Sequence, residues 1–186
     1  MKIFVLFTFL ISSLVAQAQK KSSNDIQYNI EPILGFETVY RVTPTPHTST
    51  HTIYGVRLTG GIDLVSGEIE YTKGSDTEKY QTAPETVKYN DEKVKAGLRS
   101  IFRLGPVFNI VTRFGGQAKK STEESTSGTI TTTTEKPIKY DPYAGAALGL
   151  HLGRFAINVG VTAVIPDVKD MTKNDYQYAV AIGLGI

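Results

Sequence analysis

The chain has 186 residues, no cysteine and no tryptophan, and its 20 Lys and Arg nearly cancel its 18 Asp and Glu, for a net charge of +2. That balance leaves neither a basic field for nucleic acid nor an acidic tail. The missing cysteine excludes disulfides, thiol chemistry and a lipidated cysteine anchor.

The N-terminus comes first. Lys2 is followed by an apolar run from Ile3 to Val15, broken only by Thr8, Ser12 and Ser13, and then by Ala16-Gln17-Ala18. A positive start, an apolar centre and a small-x-small ending predict a secretory signal peptide cleaved after Ala18. The apolar run is too short for a membrane anchor, which needs roughly 20 residues. The expected organisation is a signal peptide at 1–18, a lead-in at 19–27 and one domain over 28–186. Within that domain nothing is long and apolar enough for a spanning helix, so any crossing must be made by strands.

From Tyr28 the pattern has a period of two, the mark of a strand with unlike faces. Tyr28, Ile30, Pro32, Leu34, Phe36, Thr38 and Tyr40 fall on one face, and Asn29, Glu31, Gly35, Glu37 and Arg41 on the other. The alternation recurs at Tyr54–Leu64, Glu68–Thr72, Val94–Arg103, Phe108–Gln117, Tyr143–Leu152, Phe155–Ile165 and Tyr176–Ile186, which predicts an antiparallel all-β fold of eight strands. Short turns are expected near Val65-Ser66-Gly67, Leu104-Gly105-Pro106 and Gly153-Arg154, and long polar loops at about 42–52, 74–91, 119–140 and 166–175. Up-and-down strands put every long loop at one end, the layout of a transmembrane barrel. Gly145, Gly149 and Gly153 are spaced like the small-residue face of a membrane helix. A helix there would bury Arg154, whereas a hairpin leaves it in a turn.

Two features choose lipid rather than a soluble core for the apolar face. Aromatic residues gather at strand ends: Tyr40, Tyr54, Tyr140, Tyr176 and Tyr178 toward the long loops, and Tyr28, Phe102, Phe108 and Phe155 toward the short turns. Such girdles flank a membrane band of about 25 Å. The opposite face carries Glu31, Glu37, Arg57, Asp63, Glu68, Glu70, Lys95, Arg99 and Arg113. Pointed into a lumen, acids of the early strands would meet bases of the fourth and fifth, while Lys119 would lie near the loop rim. An open strand edge in hydrocarbon leaves backbone groups unpaired, so the barrel must close.

The last strand, Asp175 to Ile186, alternates to an apolar end. It resembles the assembly signal of outer-membrane barrels, although Ile186 stands where an aromatic residue is usual. The whole domain resembles the small eight-stranded outer-membrane barrel superfamily, which includes the transmembrane domain of outer-membrane protein A. The resemblance implies an outer-membrane location and contact with membrane lipid and lipopolysaccharide. It also implies recognition by barrel-assembly machinery through Tyr176, Tyr178, Val180, Ile182, Leu184 and Ile186.

Motifs for chemistry are scarce. His47 and His51 have a helical ligand spacing, but they sit among prolines and threonines that oppose a helix and read as surface-loop residues. His151 faces the lumen by parity. Asp167, Asp170, Asn174 and Asp175 lack an EF-hand pattern and read as a solvated loop. No cofactor or metal is expected, and no enzyme: Ser100 has no histidine near it in the proposed register. The Thr129–Thr134 run should extend a hairpin arm beyond the membrane. A structural or surface-interaction barrel acting through its long loops is the leading reading, because an eight-stranded lumen is filled by side chains. A narrow pore for small solutes and a soluble periplasmic lipocalin-like lipid carrier are the alternatives.

Overall fold

The computed structural model describes residues 26–41, 46–81, 86–105, 107–152, 155–166 and 174–185. The expected signal peptide, Asp167 and Asp170, the Gly153-Arg154 turn and Ile186 lie outside the described residues. Among the described residues nine strands are formed: β1 (Gln27–Arg41), β2 (His47–Gly61), β3 (Ser66–Lys79), β4 (Thr86–Leu104), β5 (Phe108–Ser127), β6 (Ile130–Glu135), β7 (Lys139–Leu152), β8 (Phe155–Val164) and β9 (Asp175–Gly185). All pairings are antiparallel, in the order β4-β3-β2-β1-β9-β8-β7-β5-β6, and a further β4–β5 ladder closes a ring of eight. β6 stands outside the ring, paired with the upper end of β5.

The register carries out the alternation read from the sequence. Glu31 lies opposite Arg57, which lies opposite Glu70, which lies opposite Lys95, a row of charges across four neighbouring strands. The outward face of the ring is apolar and exposed, with Leu34 at 62%, Tyr54 at 58%, Ile69 at 59% and Leu148 at 68% among its residues. A water-soluble monomer rarely exposes contiguous apolar surface beyond a few hundred Å². Here it encircles the ring while carboxylates and guanidinium groups are buried inside, the inverse of a soluble core.

The height of the apolar belt is legible strand by strand. On β4 the outward residues run from Leu104 through Phe102, Ser100 (its hydroxyl bonded to the Leu64 carbonyl), Leu98 and Ala96 to Val94, and then turn charged at Glu92. On β5 they run from Phe108 to Ala118 and turn polar at Lys120. Each run is about ten residues, which at about 3.3 Å per residue and a tilt of roughly 40° spans about 25 Å. Lys73 and Glu92 pair at 2.7 Å just above this limit.

The strands outlast the belt, which corrects three of the expected loops. β2 begins at His47 rather than after 52. β3 and β4 run to Lys79 and from Thr86, where a loop over 74–91 was expected, and β5–β6 fills most of 119–140. Above the belt both faces of a strand meet water, so polar residues occupy both and the two-residue period fades. The Thr-rich hairpin arm is present as expected, turning at Gly128 with φ 59°, a left-handed conformation that glycine adopts freely. Where β6 gives way to β7, Lys136-Pro137-Ile138 interrupts the ladder. Three residues there face Lys120 and Ser121 of β5, a bulge that accommodates a proline without an N–H.

Above the pair Ile53–Gly74 the β2–β3 ladder stops. The upper structure therefore divides into a β1–β2 ribbon and a β3-β4-β5-β6 sheet, joined by side chains rather than by backbone.

Candidate functional site

The lumen is the chemically dense part of the molecule. All nine charged residues assigned to it by parity are buried, from Glu37 and Lys95 at 0% to Arg57 and Arg113 at 6%. Glu31 accepts from Arg57 Nη1 at 2.8 Å and from Arg99 Nη1 at 2.5 Å. Glu70 accepts from Arg57 Nη2 at 2.7 Å, Arg113 Nη2 at 2.7 Å and Lys95 Nζ at 2.5 Å. Glu68 accepts from Arg113 Nε at 2.9 Å and from the Tyr143 hydroxyl at 2.5 Å. Asp63, at the short-turn end, pairs with Arg103 at 2.6 Å. In a low-dielectric interior such charges persist only when paired and hydrogen-bonded. Each of these groups has its partner on a different strand, so the network ties the wall together across the lumen.

Side chains beyond those nine complete the network. Lys93 and Gln177 both bond Glu37, and Gln177 also accepts from Lys95. Lys119 was expected near the rim, but its side chain is only 12% exposed and it bridges Asp91 at 3.2 Å and Asp175 at 3.8 Å. Asp91 was hidden in the sequence by the loop expected over 74–91, Lys93 by its place between that loop and the strand read from Val94, and Gln177 by its lack of charge. His51 is the largest departure. Instead of a surface-loop residue it is 6% exposed, directly opposite Glu37 in the register, with Nε2 3.2 Å from a Glu37 oxygen. His47 lies in the strand above, 2.9 Å from Glu78. His151 sits in β7 with its backbone N–H on Val107, and Ser100 donates to the Leu64 carbonyl at 2.7 Å.

At the divided upper rim, Arg41 lies 3.7 Å from Asp76 and 3.5 Å from Glu78, and Ser49 donates to Asp76. Burial pushes the Glu78 carboxyl up, but hydrogen bonds from Tyr80 and His47 outweigh it and hold that carboxyl below its usual range. Arg41 stacks on Tyr89 at 3.5 Å. A groove of about 310 Å³ opens here between Arg41, Tyr89, Lys119, Glu123, Lys136 and Asp175. Lower down, an interior cavity of only about 30 Å³ lies among Arg57, Arg99, Arg113 and Asn158. That volume suits about one water. Among the described residues the lumen is thus crossed by ion pairs, with apolar side chains such as Ile33, Ile53 and Val111 buried between them.

Small residues shape the remaining wall. A Cβ on Gly149 would lie 2.0 Å from Asn109 Oδ1, and one on Gly160 would lie 2.4 Å from Ala147 Cβ. The glycines of β7 and β8 therefore face a crowded interior, as the hairpin reading required, and no helix forms there.

No protein-family model and no curated protein matches the chain. Solved structures do match in fold. Neisserial surface protein A superposes with a TM-score of 0.60 at 6% identity, covering 88% of this chain and 98% of that one. The attachment invasion locus protein Ail of Yersinia pestis, in complex with the heparin analogue sucrose octasulfate, gives 0.56 at 10% identity, covering 86% and 99%. The N-terminal β-barrel domain of Pseudomonas aeruginosa OprF gives 0.53 at 12% identity, covering 89% and 100%. The fold is that of the small eight-stranded outer-membrane β-barrels.

Proposed function

We propose that the chain is an integral outer-membrane barrel whose lumen is a structural fastening and whose work is done at the cell surface by the strands that rise above the membrane. The observation that carries this reading is the inverted polarity of a closed ring: an apolar belt of membrane height outside, and buried carboxylate–guanidinium pairs inside. A surface role is supported by the β3-β4-β5-β6 sheet. β4 has 19 residues, about 60 Å of strand, which at a roughly 40° tilt rises about 45 Å, nearly twice the apolar belt. The outer face of that sheet is rich in Thr, Glu and Lys, suited to water and to polar partners. On this reading the belt contacts lipid and lipopolysaccharide. The apolar outward set on β9 (Tyr176, Tyr178, Val180, Ile182 and Leu184) is the surface offered to assembly machinery.

Fractionation tests the location. The mature protein is expected in the outer-membrane fraction after alkaline carbonate washing, and recovery as a soluble periplasmic monomer would refute the reading. Topology is tested with single cysteines and an impermeant maleimide on intact cells. Ser127→Cys at the tip of the β5–β6 arm should label, and Val65→Cys in a short turn should label only after the outer membrane is opened. The opposite pattern would place the tall sheet inside the cell envelope and remove the surface role.

A further inference from the structure

The upper lumen gathers two buried carboxylates and a buried imidazole at one point. Glu37 of β1 and His51 of β2 face each other directly, and Asp91 of β4 faces Gly74 of β3. The three side chains come from three strands, and all are buried: Glu37 is 0% exposed, Asp91 2% and His51 6%. One ligand atom from each lies within 4.8 Å of the other two. They meet because the residue between them has no side chain. A Cβ on Gly74 would lie 2.8 Å from both Cδ2 and Nε2 of His51, so the imidazole occupies the space that any other residue would fill. Among the described residues neither ring nitrogen of His51 has a hydrogen-bond partner, although the side chain is only 3% exposed and Nε2 lies 3.2 Å from Glu37. A buried polar atom without a partner normally costs free energy, so a ligand that engages this imidazole removes that cost.

We propose that Glu37, His51 and Asp91 form a binding site for a borderline divalent cation of the zinc class at the mouth of the lumen. One imidazole nitrogen with two carboxylate oxygens is a donor set that such ions accept, leaving a fourth position for water. Ligands about 2.1 Å from a tetrahedral ion lie roughly 3.4 Å apart; His51 and Glu37, at 3.2 Å, already meet that spacing, and Asp91 must close by at most about 1.4 Å from the 4.8 Å limit. The position allows it, because the β2–β3 ladder ends at Ile53–Gly74 and His51 sits just above that point. Lys93 on Glu37 and Lys119 on Asp91 hold the carboxylates in the meantime. The incoming ion must displace them, and Lys93 is therefore its direct competitor.

That competition makes the test specific. Zinc chloride is titrated calorimetrically into the tag-free, chelator-washed full barrel in detergent micelles, with circular dichroism reporting retention of the sheet. One site per chain is expected. His51→Ala should weaken binding at least tenfold. Gly74→Val keeps every ligand but fills the space under the imidazole, and should do the same. Lys93→Gln removes the competitor and should tighten binding. His47→Ala, above the site, should leave it unchanged. Absence of a binding isotherm in the wild type would overturn the proposal. So would affinity indifferent to both His51→Ala and Gly74→Val, or loss on His47→Ala alone. If His51→Ala does not fold, Gly74→Val and Lys93→Gln decide the matter by moving affinity in opposite directions.

Discussion

Glu70 accepts from three cations and Glu31 from two, so the arginines are the residues whose loss strands the most charge. Removing one partner of a buried pair typically costs about 3–5 kcal/mol, because the other is left charged without water. Arg57→Ala or Arg99→Ala should lower the urea midpoint in lipid vesicles accordingly. Lys120→Ala, which breaks a 3.3 Å pair with Glu135 at an exposed position, should leave the midpoint almost unmoved. Equal effects would mean that the lumen pairs are solvated. Parity alone was enough to put nine charges inside, because within the belt one face must be apolar and a charge has nowhere else to point. It could not reveal Lys93, Asp91 or His51. Those residues lie at or above the level where the outward face turns polar, and from there up a buried charge and a solvated one look alike in sequence. Tyr143 was legible as an inward residue but not as a hydrogen-bond donor to Glu68. Tyr143→Phe should cost about 1–2 kcal/mol in the same unfolding assay, as Glu68 keeps Arg113 but loses its second donor.

Among the elements, β7 gives the sharpest contrast between its two faces. Leu148 is 68% exposed at mid-strand, opposite Ile110 on β5 and Val159 on β8, while its neighbour Gly149 is pressed against Asn109 and Asn158. Leu148→Arg should cost about 2–4 kcal/mol, the usual penalty for a cation on the lipid face near the midplane. A harmless outcome would show that this face does not meet hydrocarbon. β4 and β5 show the limit of pattern reading. Their ladder runs unbroken from Leu104–Phe108 to Thr86–Thr126, yet only its lower half alternates in polarity. The upper half is held by backbone pairing and by solvent-facing ion pairs such as Lys88–Glu124 at 3.7 Å, and neither leaves a periodic signature. The Thr run of β6 was legible because its β-branched residues favour extended backbone even where both faces are wet.

At the scale of the whole molecule, the number of ring strands, their direction and the gathering of the tall connections at one end were legible in the sequence, since these follow from belt height and connection length. The lopsided top did not follow, because it depends on which ladders continue beyond the membrane. Each of the eight ring strands has a neighbour on both sides, whereas β6 and the upper part of β3 have backbone partners on one side only. A closed ring offers no end from which to fray; an open sheet offers two. The two halves should therefore exchange their amide hydrogens on different clocks. Amides of residues 53–60, 94–99 and 109–117 should open only with global unfolding and persist together. Those of 75–79 and 130–135 should exchange orders of magnitude sooner, with the unpaired side of each strand leading. Mass spectrometry of peptides from deuterated micelles would read both populations. A single rate across them would mean that the upper sheet is fastened as firmly as the ring, and that the side-chain braces from Arg41, Ser49 and His47 to Asp76 and Glu78 lock the split shut.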